Sequence, residues 1–341
     1  MAQKYLVTGG AGFIGSNFVH RLLTRGEDVT IYDNLSRAGS QINLQWLHEV
    51  FGEKLKLVRG DIRDFDKLSA AAKDADVVTH LAAQVAVTSS VTNPREDFEI
   101  NALGTFNVVE ACRQSGRQPV ILYSSTNKVY GGMEEVRTRE GATRYGYVDH
   151  PLGIPETLSL DFHSPYGCSK GTGDQYVRDY ARIYDLPTVV LRQSCIYGPR
   201  QFGMEDQGWV AWFIIAAVTG RPITIYGDGK QVRDILYVED LLNAYDLAIA
   251  QAREKPGRVF NVGGGLENTI AIWQEFGPML EELAGQPLPV SRGDWRPGDQ
   301  AVFISDIRRA EKELGWSPKV NPRDGISRLF QWVQDHPEYF K

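Results

Sequence analysis

Short apolar runs alternate with stretches in which apolar residues recur every three or four positions, from the N-terminus to about residue 192. The runs Tyr5–Val7, Val29–Tyr32, Lys56–Arg59, Val77–Leu81, Val120–Tyr123 and Thr188–Arg192 have strand length and favour β-branched and aromatic residues. Between them, Phe13–Thr24, Phe65–Ala72, about Arg95–Arg113 and about Tyr166–Tyr184 carry a helical period. Strands alternating with helices predict βαβ units. The expected class is α/β: a Rossmann-type, doubly wound parallel sheet with helices on both faces. Beyond Gly198 glycine and proline become dense (GPRQFG, TGRP, YGDGK, RPGD), and short strands mix with helices. That change predicts a domain over residues 1–197 and a smaller mixed α/β region over 198–341, with some of its segments returning to the first domain.

One punctuated stretch interrupts the rhythm at its start. Gly10-Ala11-Gly12-Phe13-Ile14-Gly15, preceded by Gly9, follows the first strand and opens the first helix. Glycine weakens a helix or strand interior, so such a cluster serves a backbone that other residues cannot follow. In this setting it fits a dinucleotide-binding turn, whose glycines let a pyrophosphate approach the backbone and the helix N-terminus. Asp33, at the end of the second strand, suits the two hydroxyls of an adenosine ribose and repels a 2′-phosphate. NAD is therefore expected over NADP, with Arg37 the nearby feature that would suit NADP.

Hydride chemistry needs a group that moves the hydroxyl proton. Tyr166 and Lys170, at i and i+4, share one helix face after the start signal Ser164-Pro165. A phenol titrates near 10, so a neighbouring cation and a positive nicotinamide are expected to favour its ionised form. The same spacing recurs at Tyr226-Gly-Asp-Gly-Lys230, but two glycines mark that copy as a turn. Ser124-Ser125-Thr126 end a strand at the carboxyl edge of the sheet, where α/β folds place their sites; turn formation is an equally fitting use of those residues.

Composition narrows the classes further. Apolar residues are 42% and charged residues 23%, with a net charge of −6. That balance suits a globular core and offers no basic surface for nucleic acid or membrane. Cys112, Cys168 and Cys195 lack metal-ligand spacing and are too few for a disulfide framework. Reduced thiols, no metal, no signal peptide and a soluble cytoplasmic protein are expected. The most apolar stretch, about Val210–Val218, is shorter than the roughly 18 residues of a spanning helix.

The ordered motifs TGGAGFIG, Asp61-Ile62, HLAAQ, NALGT, SSTNKVYG, SPYGCSK, IYGP, GDGKQVRDILYVED, RPGD and GWSPK resemble the extended short-chain dehydrogenase/reductase family from about residue 4 to residue 320. More narrowly they resemble its nucleotide-sugar epimerases and dehydratases. SSTNKVYG, LDFHSPYGCSKG, RQF…DQGWV and GKQVRD are most similar to the 2-epimerases of CDP-linked hexoses. The resemblance implies Thr126, Tyr166 and Lys170 as catalytic residues. It implies Gly9, Gly12 and Gly15 at the pyrophosphate, flanked by Phe13 and Ile14, and Asp33 at the ribose with Asn34, Ser36 and Arg37 beside it. Asp61 and Ile62 would flank the adenine. Leu81, Ala82, Ala83 and Gln84 would line the cofactor, with Asn101 and Ser124 close by. Lys128, Cys195, Gln207, Arg233 and Arg296 would hold the substrate, the arginines at its diphosphate; solvated surface charge is the plainer use of each arginine.

Two departures bear on the reaction. Where the family's sugar 4,6-dehydratases carry an Asp-Glu pair after the threonine, this chain has Asn127 and Lys128, which cannot run an elimination. Cys195 stands where many relatives have an asparagine at the sugar nucleotide. The resulting expectation is an isomerase that epimerises a CDP-hexose at C2 through a transient 2-keto sugar, with NAD bound throughout. A UDP-glucose-type 4-epimerase is the alternative, and a non-catalytic dinucleotide binder a further one. The polar stretch between Tyr130 and Tyr166 is expected to form a lid or rim over the sugar. A homodimer or homotetramer through the helices near Arg95–Arg113 and Tyr166–Tyr184 is implied by the resemblance.

Overall fold

The computed structural model describes residues 2–296 and 299–340. Pro297 and Gly298 of the RPGD motif lie outside the described residues. Seven strands build the central sheet: β1 Lys4–Thr8, β2 Asp28–Asp33, β3 Lys56–Arg59, β4 Val77–His80, β5 Val120–Thr126, β6 Thr188–Gln193 and β7 Arg258–Val262. Their order is β3-β2-β1-β4-β5-β6-β7. β1 pairs parallel with both β2 and β4, setting Thr8 against Tyr32 and His80. β2–β3 and β4–β5 are parallel too. The winding reverses between β1 and β4, and a doubly wound sheet opens a crevice at the carboxyl ends of the strands at that point.

Two compact units divide the chain. The first comprises Met1–Val129, Ser164–Arg192 and Leu242–Phe260. Leu6, Val78, Ile121 and Val190 on the strands are buried with Leu68, Val108 and Val177 from the flanking helices. Burial of each large aliphatic side chain contributes about 1.5–3 kcal/mol.

The helix expected over Arg95–Arg113 is three pieces: Pro94–Asp97, a π-helical turn Phe98–Leu103, and Gly104–Gln114. Two further helices, Ser40–Phe51 and Val87–Thr92, lie outside the expected elements. The second is VTSSVT, whose β-branched residues favour strand locally.

The second unit comprises Tyr130–His163, Gln193–Leu241 and Asn261–Lys341. Ile223–Tyr226 pairs with Val290–Gly293, and Val232–Asp234 lies between Thr269–Ala271 and Val302–Phe303. The helix Trp209–Thr219 is apolar almost all round and runs through a core shared with Phe276, Leu280, Leu329 and Val333. The stretch expected as a lid is built into this unit. It forms an antiparallel hairpin, Thr138–Glu140 with Tyr145–Tyr147, tied by an Arg144–Glu275 ion pair and by the Tyr147 hydroxyl on the Val302 carbonyl.

Candidate active site

The turn after β1 is closed by its own packing. Gly9 has φ +71°, and a Cβ there would lie 2.7 Å from the Ala82 nitrogen. At Gly15 a Cβ would lie 2.2 Å from the Gly9 carbonyl oxygen. Both positions therefore exclude any side chain. The helix Phe13–Thr24 begins at Gly12 with no side-chain cap and no acidic residue in its first turn. Phe13 and Ile14 lead its N–H groups, which carry the positive end of the helix dipole. An anion is the complement to that end.

Asp33 is buried at the end of β2. Its Oδ2 accepts the Ala11 N–H at 3.0 Å and its Oδ1 accepts the Leu35 N–H at 2.8 Å. Burial raises its pKa, and those two bonds oppose the rise. One lone-pair direction on each oxygen is left for a diol. Asn34 donates to Asp61 at 3.0 Å, and Ser36 donates its N–H to Asn34 at 3.0 Å. Arg63 grips Asp61 with Nε at 2.9 Å and Nη2 at 2.8 Å, which holds that carboxyl down at about 2. The Ile62 side chain is buried against Gly104. Arg37 is exposed, yet its charge acts on Tyr166.

Leu81, Ala82 and Ala83 continue β4 alongside the glycine turn, with the Leu81 and Ala82 N–H groups on the Thr8 hydroxyl. The π-helical turn aims Asn101 inward. Its side chain accepts the Gln84 N–H at 2.9 Å and donates to the Gln84 carbonyl at 3.0 Å. π-Helical turns are recurrent at functional sites because the extra residue re-aims a side chain.

Thr126, Tyr166 and Lys170 come together, all buried. The helix Ser164–Tyr184 starts with the Ser164 hydroxyl accepting the Gly167 N–H at 3.2 Å, and the Ser90 hydroxyl accepts the Tyr166 N–H at 3.1 Å. The Thr126 hydroxyl donates to the Asn127 side-chain oxygen at 3.3 Å and acts on the neighbouring Tyr166 phenol. Lys170 Nζ donates to the Ser124 carbonyl at 2.6 Å and sits 4.4 Å from the centre of the Tyr123 ring. Burial pushes the phenol up to about 12, against Thr126 and Arg37, while Asp97 adds to the rise. The same burial pulls the Lys170 ammonium down to about 7, against Asp174 and Asp97. Of the two cations expected to favour ionised Tyr166, Lys170 is the one in the chain, and its Nζ is turned to the end of β5.

Beneath the pair lies a buried polar layer with no spacing signature in the chain. Arg192 clasps Asp174 at 2.9 and 3.0 Å, and Ser125 donates to Asp174 at 2.8 Å. His80 bridges Thr8 at 2.7 Å and Thr105 at 3.0 Å, and burial drops it to about 3, so the ring is neutral.

The turn copy of the pattern is inert as a pair. Gly227 and Gly229 have positive φ, Tyr226 donates to Glu205, and Lys230 pairs with Glu140. Lys128 stands two residues past Thr126 and gives its N–H to that hydroxyl at 3.2 Å.

The other expected substrate residues belong to the second unit. Arg233 is buried, with Nη2 at 2.5 Å from Asp299 and Nη1 at 2.8 Å from the Val232 carbonyl. Arg296 lies 4.0 Å over the Tyr226 ring and 3.2 Å from Asp206. Gln207 closes a two-residue bridge with Met204. Cys195 has φ +43°, a conformation asparagine tolerates better, and burial raises its thiol pKa. The three cysteines are free, no cluster among the described residues could hold a metal, and no described helix is long and apolar enough to cross a membrane.

Residues 5–263 match the model of the NAD dependent epimerase/dehydratase family. Over 338 residues the chain is 45% identical to the CDP-paratose 2-epimerase of Salmonella typhi, covering 97% of this chain and 99% of that one. Among solved structures, the UDP-glucose 4-epimerase of Thermus thermophilus in complex with NAD is similar at 33% identity and TM-score 0.81, over 97% of this chain and 99% of that one. The dTDP-glucose 4,6-dehydratase of Streptomyces venezuelae with NAD bound is similar at 28% identity and TM-score 0.85, over 99% and 100%.

Proposed function

The chain belongs to the NAD dependent epimerase/dehydratase family, and on that premise we propose that it epimerises a CDP-linked hexose at C2. The carrying observation is the buried Thr126–Tyr166–Lys170 set in a chain with no carboxylate at the two positions after Thr126. Proton transfer and hydroxyl binding are provided for; elimination is not. The choice of carbon and nucleotide follows the CDP-paratose 2-epimerase of Salmonella typhi, which aligns along nearly its whole length. The distinction from a UDP-glucose 4-epimerase rests on that relative, since the redox parts serve either carbon.

The residues fit NAD. Gly9 and Gly15 let the turn close tightly on its own backbone and on β4, the helix N-terminus offers free N–H groups, and Asp33 keeps acceptor capacity for a diol. When bound, NAD supplies the hydride exchange that makes and unmakes a ketone at the sugar carbon, and its positive ring favours ionised Tyr166. Tyr166 takes the hydroxyl proton in one direction and returns it in the other. Thr126, beside that phenol, orients the reacting hydroxyl. Lys170 fixes the end of β5 and presents its charge under the site. Arg233 and Arg296 meet the sugar nucleotide's diphosphate by exchanging their present carboxylate partners for it, a bidentate geometry that suits guanidinium.

We infer a homodimer through the helices Gly104–Gln114 and Ser164–Tyr184 and the π-helical turn, where Phe98 and Ile183 are 57% and 63% exposed. Light scattering should give twice the chain mass, and Ile183→Lys should return it to the monomer value.

The test of function is turnover. Purified protein, given CDP-, UDP-, GDP- and dTDP-hexoses without added reductant, should invert C2 of the CDP sugar. Inversion of UDP-glucose at C4 with CDP sugars untouched would overturn the proposal.

A further inference from the structure

Asp97 is a buried ionisable group beside the catalytic helix that the proposed chemistry does not use. Asp97 is fully buried at the last residue before the π-helical turn. Ser169 Oγ donates to its Oδ2 at 2.5 Å, and Asn101 Nδ2 donates to its Oδ1 at 3.0 Å. Ser169 directly precedes Lys170 in the catalytic helix, so the carboxylate is anchored to the turn that carries Tyr166 and Lys170.

Its hydrogen-bond partners carry no charge, whereas the other carboxylate near Lys170, Asp174, is already matched by the Arg192 guanidinium. A buried carboxylate with no cation in hydrogen-bond contact costs several kcal/mol, and an asparagine could satisfy the same two neighbours at far smaller cost. The fold alone gives no reason for the charge. The placement supplies one: through Ser169 the carboxylate is held one residue from Lys170 and within one helical turn of Tyr166, and it acts electrostatically on both.

Resting on the reading of Tyr166 and Lys170 given above, we propose that Asp97 is a positioning residue, whose unmatched buried charge keeps Lys170 an ammonium while its hydrogen bonds lock the Ser169 turn. Other groups also act on the pair. Asp174 reaches Lys170 from its own helix, His80 and Tyr123 do so from β4 and β5, and Tyr166 feels Thr126 and Arg37. Of these, the two carboxylates and the face of the Tyr123 ring favour the ammonium, and only the carboxylates do so with a full charge.

Removing the charge disfavours the Lys170 cation and eases ionisation of Tyr166. Both titrations therefore move the same way, to lower pH. The test is Asp97→Asn in protein labelled with 13C at the lysine ε carbon, the Lys170 signal being identified by its absence from Lys170→Arg. Its titration midpoint should fall by about one pH unit, the scale of a nearby charge. Asp97→Ser, smaller and equally uncharged, should do the same and serves if the asparagine variant does not fold. Melting temperature should hold or rise in either variant. An unchanged Lys170 midpoint in the folded variants would overturn the proposal, whatever happens to activity. This readout needs no substrate, so it stands apart from the assignment of the sugar. With a turned-over sugar in hand, both limbs of the kcat/KM profile should move to lower pH; a uniform drop with fixed limbs would mark a purely structural carboxylate.

Discussion

Two substitutions in the glycine turn separate packing from ligand binding. In Gly15→Ala the new Cβ falls 2.2 Å from the Gly9 carbonyl oxygen and 2.7 Å from the Gly10 Cα. Both neighbours are backbone and cannot swing aside, so β1 and the helix Phe13–Thr24 must part. Overpacking of this kind costs about 1–3 kcal/mol or more. At about 2–4 °C per kcal/mol for a unit of this size, the melting temperature should fall by roughly 2–12 °C. Gly12→Ala is the matched control. Gly12 has φ −71° and ψ −179°, open to any residue, and its new Cβ lies 3.2 Å from the Gly9 oxygen. A shift of a few tenths of an ångström relieves that contact, so stability should change by less than about 1 kcal/mol. The added methyl nevertheless stands at the uncapped helix N-terminus. Calorimetric titration with NAD should show affinity weakened tenfold or more in Gly12→Ala, with little change in melting. Gly15→Ala melting with the wild type, or Gly12→Ala binding NAD as tightly as the wild type, would refute the reasoning.

Tyr166→Phe should keep fold and NAD binding while turnover falls by about 10²-fold or more, and Tyr226→Phe should be near neutral; equal effects would move the base elsewhere. Arg192→Met strands the buried Asp174 and should cost about 3–5 kcal/mol in urea unfolding, with the Asp174→Asn partner change recovering much of it. Lys170 is pulled from 10.5 to about 7 by burial, so between those values the unfolded chain binds more protons and wild-type stability rises with pH. Lys170→Met escapes that penalty: its stability relative to the wild type should be greatest below pH 7 and shrink towards pH 10, and a flat difference would contradict the burial of the ammonium.

The parts of the site that were readable in the chain are those with local periodicity. The glycine turn, Asp33 at a strand end, and Tyr166 and Lys170 one helical turn apart each follow from short-range geometry, and the six expected strands reappear within three residues at either end. What the chain concealed is assembled at long range. Asp97 meets Ser169 across 72 positions and Ser125 meets Asp174 across 49, so no spacing rule marks them. The π-helical turn is set by tertiary bonds from Asn101 to Gln84 and Ser169, and its residues read as ordinary helix. The same applies to Val87–Thr92, where packing overrides the strand preference of β-branched residues. The stretch after Tyr130 reads as a lid or rim because its anchors, Glu275 and Val302, lie more than a hundred residues away and leave no local signal.

The central claim is that inversion occurs at C2 by hydride removal and return within the site. Incubating the purified protein with CDP-glucose or a 6-deoxy relative in D₂O, and following the sugar by NMR, tests it directly. The C2 epimer should form with ordinary hydrogen at C2, because that hydrogen never exchanges with water. Deuterium appearing at C2, or inversion at C4 with C2 unchanged, would contradict it.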